Sequence, residues 1–256
     1  MTVVSAICLR TWRRVLRRPV TLAFSLGQPL FWMAFFGFLM QRFPLGELPA
    51  DVSYVSFLLP GICALTVMQG SSQTGVGLIR DLQTGFLQRI LATPAPRGWI
   101  HVGRLVAEGT RMHIQAGVVA LLGLILGAEM QVAIGPMLVA IAMSVAFGFA
   151  FSSLSTVVAL RARAPEPMGT FVQLVNMPLL FTSTALVPAK QMPAWLAAVS
   201  AYNPLSMVAD GLRDALIFGD TPLGLHVAIL MMLALVMGGL AVREMERLGA
   251  NPEGPR

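Results

Sequence analysis

Apolar positions in this chain come in long blocks, not in the alternation of half-buried strands or the narrow stripe of a surface helix. Six blocks fall at about 20–40, 54–79, 105–126, 132–160, 168–187 and 223–242. Each approaches or exceeds the roughly twenty residues a helix needs to cross the hydrocarbon of a bilayer. The pattern predicts an all-α integral membrane protein with six transmembrane helices. The fourth block is longer than the lipid requires, so its helix tilts or projects. Ahead of the first block, Val4, Ile7, Cys8, Thr11, Trp12 and Val15 recur at three- and four-residue steps, with five arginines on the opposite arc. That spacing predicts an amphipathic helix in 1–19 lying along the membrane surface, either as a topology anchor or in contact with a partner as well. The predicted organisation is therefore a surface helix at 1–19, a membrane domain at 20–242 and a tail at 243–256.

The stretch 192–219 is also apolar, but Asn203-Pro204 divides it into halves too short to cross. A seventh span would also place Arg243 and Arg247 on the side poor in basic residues. Two short helices at the outer leaflet, or dipping into it, are expected there.

Charge sets the orientation. Fourteen Lys and Arg residues lie in the N-terminal segment, the second and fourth connections and the C-terminal tail, against three at Arg42, Lys190 and Arg213 on the other side. The basic side faces the cytosol, which places both termini there. With 56% hydrophobic and 12% charged residues, the composition is far from that of a soluble domain. The net charge of +6 is spread along the ends of the spans, which suits anionic lipid headgroups and not nucleic acid. Two cysteines, Cys8 and Cys63, offer neither a disulfide framework nor a metal-binding pair. The one lysine, Lys190, lacks the glycine-rich loop of a phosphate cradle, and the three histidines show no metalloprotease spacing. The chain is thus not read as an enzyme, and no metal or cofactor is expected in it.

Between the second and third blocks runs a basic segment punctuated by Gly and Pro, with Arg80-Asp81, Gly85, Arg89, Thr93-Pro94, Arg97 and Gly103-Arg104. This spacing resembles the loop between the second and third membrane helices of ABC-2 type transporter permeases. Pro188, Pro193, Asn203-Pro204 and Arg213 resemble the external segment of the same family. The resemblance covers most of the chain. It implies the membrane subunit of an exporter in the bacterial inner membrane, paired with a second copy or a similar permease. A separate ATP-binding subunit would hold ATP and Mg. The loop would contain a coupling helix that receives that subunit's stroke, formed by Arg80, Asp81, Gly85, Phe86, Leu87, Arg89, Ile90 and Pro94. Phe86, Leu87, Ile90 and Leu91 are expected to be its apolar contacts with the ATPase, and Thr93-Pro94 to end the helix.

Polar residues inside the blocks mark the remaining candidates. Glu108, Arg111 and Gln115 share one face of the third helix, as a self-neutralising pair or as a gating element. Gln69, Ser72, Gln173 and Asn176 either bind helix to helix or line a path. The family resemblance makes them, with Phe31, Phe35 and Met68, the candidates for the translocation path. A secondary transporter would show paired broken helices in two repeats, and only one break, at Asn203-Pro204, is visible. A non-transporting scaffold would leave the cytosolic loop without a role.

Overall fold

The computed structural model describes residues 3–17, 19–40, 52–92, 96–130, 133–221 and 224–250. Every regular element among them is helical: α1 (Val3–Leu16), α2 (Pro19–Met40), α3 (Tyr54–Gln83), α4 (Phe86–Leu91), α5 (Arg97–Ile125), α6 (Ile134–Ala162), α7 (Pro165–Phe181), α8 (Ala194–Ala201), α9 (Pro204–Arg213) and α10 (Gly224–Ala250). A 3-10 turn, Ala189–Gln191, precedes α8, and a π segment, Asp214–Phe218, continues α9. Three helices are long and apolar enough to cross a membrane, at Tyr54–Gln83, Ile134–Ala162 and Gly224–Arg247. Leu26–Leu39 in α2 is a shorter apolar stretch. α5 has the length, with 29 residues, but its first half carries Arg97, Arg104, Glu108 and Arg111.

α3 is the hub. It packs against α2, α5, α6, α7 and α9, and Leu58, Leu59, Ile62, Leu65 and Met68 are at most 1% exposed. Two glycines let neighbouring backbone come close. A Cβ on Gly61 would strike the Ala185 backbone, and one on Gly75 would meet Ser155 and Met168. At the latter crossing the Gly75 amide donates to Ser155 Oγ at 2.9 Å, and that hydroxyl donates to the Ser72 carbonyl at 2.7 Å. Small residues at such crossings allow the contact that apolar surroundings alone do not drive. The main core surrounds α3, while a smaller cluster of Leu78, Ile79, Leu87, Ala159, Leu160, Met168 and Met245 closes the end of the bundle beneath α4.

Several boundaries differ from the sequence pattern. The fifth block, expected as a span over 168–187, is helical only in Pro165–Phe181. Hydroxyls end it: Thr182 N and Oγ1 both donate to the Pro178 carbonyl, and Ser183 N and Oγ donate to that of Leu180. The chain then turns, with its carbonyls facing other partners. α5 starts at Arg97, so the second half of the basic loop is helix. α10 continues through Arg243 and Arg247, so the tail begins as an extension of that helix, while 251–256 lies outside the described residues. The two short helices expected within 192–219 are present as α8 and α9, separated at Asn203, which caps α9 by accepting from the Leu205 amide.

Candidate functional site

The basic loop begins in the last turn of α3. Thr84 closes that helix by donating from its amide to the Arg80 carbonyl at 3.0 Å, and Gly85 follows with φ of 67°. This left-handed conformation suits glycine and turns the chain sharply into α4. Thr93-Pro94, expected to end α4, lies outside the described residues; the helix itself stops at Leu91.

The orientation of α4 differs from the expected outward apolar knob. Leu87 is 1% exposed and enters the small end cluster. Phe86 is half-buried, with the Arg10 guanidinium 3.2 Å from its ring centroid. Ile90 borders the same recess as Ile7 and Ile100. The exposed positions of this segment are Arg80, Gln83, Thr84, Gln88, Arg89 and Ala92. The described apolar side chains of this short helix thus turn toward the chain's own bundle, while the side chain of Leu91 lies outside the described residues.

Asp81 is also turned inward. Only 2% exposed, it receives Arg10 Nη2 on Oδ1 at 2.9 Å and Arg104 Nη1 on Oδ2 at 2.7 Å. One carboxylate thus joins α1, α3 and α5 beside the root of α4. α1 lies close on α5, with Val4 and Ile7 packed over Gly103. Next to this corner, His101 pairs through Nε2 with Ser153 Oγ at 3.1 Å and is 2% exposed.

The third-helix stripe forms a connected set. Arg111 Nε donates to Glu108 Oε2 at 2.7 Å, Nη1 to Gln115 Oε1 at 3.1 Å and Nη2 to the Gly70 carbonyl at 3.5 Å. The pair neutralises itself while reaching across to α3. The proposed path residues do not share one environment. Phe31 and Phe35 stack 5.7 Å apart and are 61% and 47% exposed. Gln173 is exposed, and Gln69 is half-buried. Met68 is fully buried within the bundle, and Ser72 is buried, donating to Asn176 Oδ1 at 2.9 Å as a tie between α3 and α7.

At the other end of the bundle, Arg213 is 4% exposed. It donates to the carbonyls of Phe57, Thr184 and Ala185, pairs with Asp210 at 2.6 Å and lies over the Phe57 ring. The carbonyls of Thr184 and Ala185 belong to the turn that follows α7, and this arginine holds both. Tyr54 adds a bond from its hydroxyl to the Leu186 carbonyl at 2.8 Å. Arg213 is marked in the sequence, but Thr184, Asp210 and Arg10 are not: Thr184 meets Asp210 from 26 residues away and Arg10 meets Asp81 from 71.

The family model described as ABC-2 type transporter matches residues 2–217. Among curated proteins, the chain is 32% identical over 209 residues to a putative transport permease, ycf38, of Cyanophora paradoxa, covering 80% of this chain and 70% of the relative. It is 27% identical over 249 residues to the daunorubicin resistance ABC transporter permease protein DrrB1 of Streptomyces coeruleorubidus, covering 94% and 86%. It is also 29% identical over 192 residues to nodulation protein J of Rhizobium meliloti (strain 1021), covering 72% and 71%.

Proposed function

The chain belongs to the ABC-2 type transporter family, whose members are membrane permeases of ABC transporters, and from that premise we propose that it is the membrane-spanning subunit of an ATP-driven exporter. In this reading α2, α3, α5, α6, α7 and α10 are the six spans. The short α7 is completed by the turn that Arg213 holds. α1, α4 and the end of α10 lie on the cytosolic side of a bacterial inner membrane, with α8 and α9 at the outer face. The fourteen basic residues on one side support that orientation. A separate ATP-binding subunit supplies ATP and Mg, and a second copy or a similar permease completes the path. Phe31, Phe35, Gln69, Gln173 and Asn176 are the lining candidates, with Met68 and Ser72 supporting them from inside the bundle.

The observation that carries the reading is the corner at Asp81. A short helix stands on a glycine turn at the end of the hub helix, and one buried carboxylate fastens its root to α1 and α5. A push on α4 thereby reaches three helices together. α4, Arg80 and Arg89 present the surface, while Asp81, Phe86, Leu87 and Ile90 transmit from within.

Reconstitution with a candidate ATP-binding subunit tests this. Transport should require ATP hydrolysis and stop when the phosphate-loop lysine of that subunit is replaced. Transport that persists on an ion gradient alone would instead make the chain a secondary transporter.

A further inference from the structure

We propose that the docking face of α4 is polar and cationic, so that the ATP-binding subunit receives it in an acidic recess, with Arg89 as the principal contact. This rests on the permease reading and specifies the chemistry of its partner. The described apolar side chains of α4 already have internal contacts: Leu87 in the end cluster, Phe86 beneath Arg10, Ile90 beside Ile7 and Ile100. What remains outside is Arg80, Gln83, Thr84, Gln88 and Arg89. Between positions 80 and 104 the sequence has one acid, Asp81, and it is buried between Arg10 and Arg104. The neighbouring α1 exposes Arg13, Arg17 is exposed just beyond its end, and Glu244 on α10 is bound by Arg161 and Arg247. Among the described residues, the exposed side chains of α4 and its root are therefore basic or uncharged, and an acidic surface on a partner would complement them.

Length separates this face from the lipid. α3 has 30 residues, so it measures about 45 Å, against roughly 30 Å of hydrocarbon. With Tyr54 at one boundary, the end bearing Arg80 and Gln83 extends beyond the hydrocarbon, and Gly85 places α4 there. An acidic protein surface is the complementary occupant, because opposed potentials steer the encounter and fix its register.

The full chain in phosphatidylcholine nanodiscs is titrated with the ATP-binding subunit that assembles with the wild type. Arg89→Glu should weaken binding about ten-fold or more, and Gln88→Glu by less, with unchanged unfolding temperatures because both side chains are exposed. Wild-type affinity should fall as salt rises. An acid-to-arginine change in the subunit's recess should restore binding to the Arg89→Glu chain. Unchanged affinity for that variant, together with indifference to salt, would overturn the proposal while leaving the permease reading intact. So would a defect confined to phosphatidylglycerol nanodiscs, which would assign the face to anionic lipid. Failure of any ATP-binding subunit to assemble with the wild-type chain would instead overturn the permease reading, and this proposal with it.

Discussion

Asp81 holds guanidinium groups that come from 71 residues upstream and 23 downstream. Its replacement by Asn should leave Arg10 and Arg104 close together without their shared counter-charge. Breaking a buried pair from one side costs about 3 to 5 kcal/mol. The comparison is Arg161→Gln, whose side chain is 65% exposed against Glu244 and whose loss should cost no more than about 1 kcal/mol. Thermal unfolding in detergent should separate the two variants clearly; equal midpoints would mean that the corner is not fastened by this carboxylate. In the sequence, Asp81 looks like half of an exposed Arg-Asp pair, because periodicity does not say which arginine folds onto it.

At the scale of elements, helix positions were legible wherever apolar runs were long. The ends were not, because hydropathy continues past a helix that hydroxyl groups stop, as Thr182 and Ser183 do for α7. The face of α4 was illegible for a related reason. Phe86, Leu87 and Ile90 define an apolar side whether a partner or the chain itself covers it, and the depth of Leu87 is a tertiary fact. The crossing of α3 and α6 supplies a sharper test of the packing. Gly75→Val would drive side-chain atoms into the Ser155 backbone and the Met168 methyl, where overpacking costs about 1 to 3 kcal/mol. Gly77, two positions along the same helix, has nothing within 4 Å of an added Cβ, so Gly77→Ala should be neutral or mildly stabilising. Equal unfolding midpoints for these two variants would mean that the close crossing does not exist in the membrane.

The whole molecule has two differently built ends. At one, Arg213 gathers backbone carbonyls from two elements and holds a turn in place of a longer α7. At the other, a carboxylate between two arginines supports a short helix whose outer surface is polar. On the proposed reading, the second end faces the cytosol and the ATP-binding subunit. Replacement of Cys8 and Cys63, followed by a single cysteine at Gln88, examines sidedness and docking in one measurement with a membrane-impermeant maleimide. Labelling is expected in inside-out vesicles, none in right-side-out vesicles, and protection once the ATP-binding subunit is bound. Labelling from the outside, or inside labelling that the bound subunit leaves unchanged, would contradict that reading.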